Sequence, residues 1–522
     1  MVASSQPLAS AAGGRILAQG GNAADAAVAC AAALNVTEPT STGLGGDMFA
    51  LFYEASTRQV SALNGSGRAP AGLSLERLRA EGFGAELPPY HAHTVTVPGA
   101  CAGWCDLIER YGSLALAQIL EPAIGLASEG FPVAPMTAHF WQSGAQRQLQ
   151  SAPNGQELTM DGRGPEAGEI FRNAGLARTL QIIAGGGKGA FYEGAIAEDV
   201  AAVLQSVGGC MTTADLAGHQ STWEQPASVV FGDFRVHECP PNGQGLTALL
   251  ALNLLEGLEV LGLDPLSSQR LHLQIEALRL AFADARWYIS DPAFSRIPLD
   301  ELLSKEYAAE RGKLINPAAA TLDRQRGRPF ASSDTVYFCA VDRWGNACSF
   351  INSNYMGFGT GIVPRGRGFS LQNRGHNFSL QEGHPNALAP GKRPYHTIIP
   401  GLITREADGS LFGPFGVMGG FMQPQGHVQV FLALAQGLDP QQALDLPRFC
   451  LEDGQPSDGV ALEEGIPLKT MARLAEMGHR VRLVSGWGRA LFGRGQVILR
   501  DEAGVLCGGS DPRADGCALP VL

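Results

Sequence analysis

Residues 316–334 are polar and broken by Pro317 and Pro329, and the chain changes character directly after them, in the run Thr335–Val341 (TVYFCAV). A β-branched and aromatic run behind a proline-interrupted stretch predicts a strand that opens at Thr335, entered from a loop or flexible linker. The turn Asp342-Arg343-Trp344-Gly345-Asn346 and a second strand over Ala347–Ile351 make the pair a hairpin. Further strands fit Met48–Tyr53, Val60–Leu63, Ile398–Ile403 and Val417-Met418, with a strand-rich meander over Val481–Leu499.

Helices come in blocks. Residues 8–35 read as an alanine-rich helix pair, broken at Gly20-Gly21-Asn22, with Asn22 as N-cap of Ala23–Leu34. The middle, 100–330, reads as mostly helical, and Leu271–Tyr288 carries apolar residues at three- and four-residue spacing before Asp291-Pro292 ends it. Another helix fits Val428–Gln436. Paired strands with blocks of helices suggest an α+β domain of sheets covered by helices.

Composition excludes several function classes. Hydrophobic residues at 45% with charged residues at only 17% rule out a disordered or coiled-coil chain. The 67 glycines and 32 prolines follow no period, so collagen is excluded. A net charge of −12 lacks the footprint of a nucleic-acid binder or of a protein that docks on anionic membranes. No stretch approaches 18 uncharged apolar residues, and Met1–Gln6 shows no basic region followed by an apolar run. The ten cysteines are scattered without a CxxC, so reduced thiols and a cytoplasmic location are expected. Gly185–Gly189 lacks P-loop spacing. His91-x-His93 reads as part of an alternating strand and Cys101-x3-Cys105 as buried thiols at a helix start, so neither metal nor cofactor is expected.

The residue with most chemical potential is Thr335. A threonine hydroxyl is a weak nucleophile unless a base sits beside it. A chain break before it would create that base, an α-amino group with an ordinary pKa of about 7.7–8.0, matched to neutral pH. The alternative is a threonine that merely opens a strand.

A set of motifs weighs on that choice. In order they are Gly20-Gly21-Asn22-Ala23-Ala24-Asp25, Glu38-Pro39, Thr42-Gly43-Leu44-Gly45-Gly46-Asp47, Arg68-Ala69-Pro70 and Val97-Pro98-Gly99. Then come Asp334-Thr335-Val336-Tyr337, Phe358-Gly359-Thr360-Gly361, Lys392-Arg393-Pro394, Gly419-Gly420 and Leu446-Pro447-Arg448-Phe449. Over nearly its whole length the chain thereby resembles the γ-glutamyltransferase family of N-terminal-nucleophile hydrolases. The resemblance implies a four-layer αββα sandwich and a proenzyme that cuts itself, the Thr335 hydroxyl attacking the carbonyl of Asp334. It implies a large fragment, 1–334, and a small one, 335–522, held together as a heterodimer within one domain. The oligomeric state stays open, a dimer of heterodimers included. It also implies an oxyanion hole at Gly419-Gly420, and Ser353 supporting the nucleophile where the family has threonine.

The departures bear on substrate. Ser66 stands where the family's γ-glutamyl enzymes hold the substrate carboxylate with arginine, and Arg68 is displaced by two. Asn377 replaces the acidic residue that binds the substrate ammonium, and a neutral amide loses that charge-assisted bond. His396 and Thr397 replace paired serines, and Tyr355 replaces an asparagine. With Arg374 they suit a small anion without an ammonium, although Arg374 could pair with an acidic neighbour, His396 could be a core histidine and Tyr355 could simply pack. The run Cys339–Tyr355 looks most like the oxamate amidohydrolase proenzymes of bacterial purine and allantoin breakdown, which implies hydrolysis of oxamate to oxalate and ammonia. Two alternatives remain: a γ-glutamyl hydrolase or transpeptidase with a rebuilt anchor, and an uncleaved, non-catalytic member that only binds.

Overall fold

The structure, a computed structural model, describes residues 1–322, 334–452 and 459–521. Two sheets face each other at its centre. The first runs Cys517–Leu519, Val2–Ser4, Asp334–Val341, Ala347–Tyr355, Asp47–Glu54, Gln59–Gly65, Thr222–Glu224. The second runs Leu506–Ser510, Arg494–Arg500, Leu411–Met418, Gly401–Arg405, Phe234–Glu238, Ala227–Phe231. Neighbours are antiparallel throughout both. The strand Asp334–Val341 packs face to face on Leu411–Met418 and Arg494–Arg500.

Helices cover both outer faces. Pro7–Ala18 and Ala23–Thr37 lie on the first sheet, and Gly245–Glu256 and Met422–Ala435 on the second, with Ser268–Tyr288 packed against Gly245–Glu256. The layers are thus α, β, β, α, as the resemblance implies. Ala23–Thr37 is buried at every position, and its alanines let the helix axis approach the sheet. Asn22 caps it: its Oδ1 accepts from Ala24 N at 2.9 Å and Asp25 N at 3.1 Å, while Asp25 accepts from Asn22 N at 2.9 Å. Ala347–Tyr355 is buried at every position too, which is why it shows no polar alternation: one face meets helices, the other the second sheet.

Several expectations need correcting. The hairpin Ala227–Phe231 and Phe234–Glu238 lies inside the region read as mostly helical, turning at Gly232 with φ 56°. The strand expected from Ile398 begins only at Gly401, because side chains capture the earlier amides: Ile398 N donates to His396 Nδ1 at 3.4 Å and Ile399 N to Gln423 Oε1 at 3.0 Å. The meander 481–499 is two strands of different sheets, Val481–Val484 and Arg494–Arg500, parted by the 3-10 turn Gly486–Phe492. His91-x-His93 is no strand but a 3-10 turn over Ala92–Thr94, closed by His93 N on His91 Nδ1 at 3.1 Å. Cys101 is buried, but Cys105 only partly. Gly185–Gly189 lies inside the helix Ala174–Tyr192, kinked at Gly187 with φ 60°. Of the loop expected over 316–334, residues 323–333 lie outside the described residues. Among the described residues no helix is long and apolar enough to cross a membrane.

Candidate active site

Thr335 enters the first sheet beside the end of the strand Ala347–Tyr355, where a register shift between Asn352 and Tyr355 breaks the ladder. That irregularity turns Ser353 toward it, with Thr335 Oγ1 and Ser353 Oγ 3.2 Å apart and both residues buried. Ser353 Oγ accepts from Tyr355 N at 2.9 Å and from Arg374 Nη2 at 3.1 Å. Those N–H donors fill both of its lone pairs, so Ser353 cannot also take the hydrogen of Thr335. Gln423 Nε2 donates to Thr335 Oγ1 from the other side at 3.3 Å.

Tyr355 holds φ 81°, a left-handed conformation that costs a side chain on the order of 1–3 kcal/mol. The strain places its ring face 4.4 Å from the Arg374 guanidinium carbon and its hydroxyl 2.5 Å from Asn377 Oδ1. Arg374 and Asn377 come from one 3-10 turn, Arg374–Asn377. Arg374 is fully buried, and its Nη1 donates to Thr397 Oγ1 at 2.5 Å. Burial pushes its pKa down to about 10, the Asp47 charge opposing, so it stays a cation at neutral pH. Among the described residues it forms no ion pair and its Nε has no hydrogen-bond partner.

Asp47 is the nearby counter-charge. Its Oδ1 accepts from Gly67 N and Gly99 N at 3.1 Å each, and its Oδ2 from His396 Nε2 at 3.0 Å. Burial pushes its carboxyl up to about 7 against Arg374 and the two backbone donors. His396 is held far below its ordinary pKa by burial, then by Arg374 and Arg393. It is neutral, protonated on Nε2 toward Asp47 while Nδ1 accepts from Ile398 N.

Gly419 and Gly420 link the strand Leu411–Met418 to the helix Met422–Ala435, with φ 129° and 59°. Among the described residues neither amide hydrogen is bonded. Two free N–H groups at a helix N-terminus can receive a developing anion. Gln244, at the start of the neighbouring helix Gly245–Glu256, fixes this loop, its Nε2 donating to Gly420 O at 2.8 Å and Thr397 O at 2.5 Å.

The structure therefore joins Thr335, Ser353, Tyr355, Arg374, Asn377 and Thr397 in one chain of contacts, with His396 one step away on Asp47. Arg68 stands apart, partly exposed, its Nη1 on Gln220 O at 3.4 Å. Ser66 is buried and donates to Asn64 Oδ1 at 2.7 Å, with Arg393 Nε on its carbonyl at 3.0 Å. The backbone of Asp334 pairs with Tyr355. Sequence reasoning gave no role to Asp47, Gln244 or Gln423. Asp47 had a signal, closing the motif Gly45-Gly46-Asp47. The glutamines had none, since they meet the site through contacts distant in sequence.

Among the described residues one group has metal-ligand chemistry: His272, Glu276 and His479, with ligand atoms within 4.8 Å of one another. Those atoms are already engaged. His272 Nε2 meets Asn316 O and its Nδ1 meets His479 Nε2, both at 2.8 Å, and Arg279 Nη1 meets His479 Nδ1 at 3.1 Å. The Arg279 cation opposes a second cation there.

Comparison with known proteins places the site in context. The family described as gamma-glutamyltranspeptidase matches residues 9–521. The "Glutathione hydrolase-like YwrD proenzyme" of Bacillus subtilis is 38% identical, over 100% of this chain and 98% of the relative. The "Oxamate amidohydrolase proenzyme" of Klebsiella pneumoniae is 34% identical, over 96% and 95% respectively. Among solved structures, the cephalosporin acylase from Bacillus halodurans superposes with a TM-score of 0.92 at 46% identity, covering 99% of this chain and 94% of that one.

Proposed function

The chain belongs to the gamma-glutamyltranspeptidase family and is a hydrolase of amide bonds, and from that premise we propose that it matures by its own cut before Thr335 and hydrolyses a small anionic amide, oxamate. In maturation, Thr335 Oγ1 attacks the carbonyl carbon of Asp334, the peptide nitrogen leaves as the Thr335 α-amine, and water hydrolyses the ester. The fragments 1–334 and 335–522 remain associated. In turnover, the Thr335 hydroxyl proton passes to that amine as Oγ1 bonds to the substrate carbon. The carbonyl oxygen becomes an anion facing the Gly419 and Gly420 amides. The amine returns the proton to the leaving nitrogen, ammonia departs, and water releases oxalate from the ester.

The observation that carries this reading is Arg374. It is a buried cation separated from Thr335 Oγ1 only by Ser353, through hydrogen bonds of 3.1 and 3.2 Å. Oxamate bears its carboxylate directly on the scissile carbonyl, so its counter-charge belongs this close to the nucleophile. Where an ammonium would need a carboxylate, Asn377 is neutral and its Oδ1 is occupied by Tyr355. A larger cephalosporin amide draws support from the 46% identity with the acylase, but the Arg374 cation one hydroxyl away from Thr335 favours the small anion.

The test compares ammonia release from oxamate with chromophore release from a γ-glutamyl anilide on the matured protein. Oxamate is expected to lead in kcat/KM by roughly 100-fold or more, the effect of one lost charge-assisted contact. The opposite ranking overturns the assignment.

A pH dependence follows from Asp47. As pH rises through about 7 its carboxyl ionises and competes with the substrate anion for Arg374. Substrate binding is therefore coupled to proton uptake, and affinity falls as pH rises. KM for oxamate should climb about tenfold between pH 6 and 9, as expected for a like charge several ångströms away, and Asp47→Asn should flatten the profile.

A further inference from the structure

The strongest unassigned group at the site is Gln423, in the first turn of the helix Met422–Ala435 and fully buried. Its orientation is fixed by chemistry. Ile399 N–H can only donate, and it meets Gln423 Oε1 at 3.0 Å. The NH₂ end is therefore the one facing Thr335 Oγ1 at 3.3 Å. Ser353 Oγ, which accepts from Tyr355 N and Arg374 Nη2, has no lone pair left to take the Thr335 hydrogen. Thr335 Oγ1 thus receives a hydrogen bond from Gln423 and gives its own hydrogen to neither partner.

We propose that Gln423 is a catalytic residue: its Nε2–H occupies one lone pair of Thr335 Oγ1, turns the hydroxyl hydrogen away from Ser353 and Gln423 toward the α-amine, and stays on the oxygen through attack and release. The inference rests on the reading of Thr335 as nucleophile. In acylation the O–H bond breaks, its proton goes to the amine, and the freed electron pair forms the C–O bond; the Nε2–H stabilises the negative charge that builds on Oγ1 as the proton leaves, before that charge passes to the carbonyl oxygen. In deacylation the C–Oγ1 bond breaks, the electron pair returns to Oγ1, and the same N–H stabilises it until the amine gives back the proton. A residue that only packs would do neither.

Two variants test this on the full chain, using the amide that the unsubstituted protein hydrolyses fastest. Gln423→Met keeps the volume and removes the donor; kcat should fall about 10- to 100-fold, the loss of a hydrogen bond to a charged oxygen, with KM within threefold and self-cleavage slowed alongside. Gln423→Glu keeps the acceptor for Ile399 and makes the donor conditional. Its activity relative to the unsubstituted protein should approach one at acid pH, where the buried carboxyl carries a proton to donate, and should fall as pH rises. Parent-like kcat in Gln423→Met, or a pH-independent ratio in Gln423→Glu, overturns the proposal. If the parent neither cleaves nor hydrolyses any amide, the reading of Thr335 itself fails; a working parent with indifferent Gln423 variants sinks this inference alone.

Discussion

Thr335→Ala should remain one 522-residue polypeptide and show background amide hydrolysis, a loss of at least roughly 10⁴-fold. One oxygen is asked to open the chain and then to open the substrate, so one substitution should abolish both. The fold should survive, since the alanine sits in a paired strand and loses only the contacts to Ser353 and Gln423. Thr335→Ser keeps the oxygen and should retain both events at reduced rate. Intact mass over a long incubation, read beside ammonia release, checks the pair. An alanine variant that is cut efficiently would remove Thr335 from the mechanism.

The second large effect belongs to Arg374. Arg374→Met keeps most of the buried volume and deletes the cation, and kcat/KM on oxamate should fall roughly 10²- to 10³-fold, the range for losing a desolvated charge pair. Most of the loss should appear in KM. Part should appear in kcat, because Ser353 loses one of the donors that fill its lone pairs and becomes able to take the Thr335 hydrogen. Arg374→Lys keeps the charge without the planar fork and should recover only part of the loss, because a single ammonium cannot bond Thr397 and Ser353 in the same geometry. Steady-state kinetics on the three proteins decides it; an unchanged KM in Arg374→Met would mean that the substrate anion binds elsewhere.

The elements legible in the sequence were those whose signal is local. Asn22 capping Ala23–Thr37, the strand pair on either side of Gly345, and the long helix ending at Tyr288 all follow from residues within a few positions of each other. The strand Gly401–Arg405 was displaced from its apolar run because a partner far along the chain, Gln423, takes the amide of Ile399. The site divides in the same way. Asn377 and Tyr355 could be singled out by their departure from a motif, and Arg374 by its charge beside them. Asp47 closed a motif without its role being legible, and Gln244 and Gln423 could not be given roles, because their importance lies in contacts distant in sequence that no spacing encodes. Arg68 shows the converse: adjacency to a motif suggested reach, and its side chain is bonded to Gln220 instead.

The order of the first sheet has a consequence for what a cut before Thr335 can do. Along that sheet the segments 517–519, 2–4, 334–341, 347–355 and 47–54 lie side by side, so pieces from before and after the cut alternate like interlaced fingers. The new first strand of the small piece would be clasped by Val2–Ser4 of the large one, and Val2–Ser4 in turn by Cys517–Leu519. Neither piece can slide out without stripping ladders on both flanks, so parting them is the same event as melting the protein. Dilution should not separate them, and scission would alter the chemistry of one nitrogen while leaving both sheets paired as before.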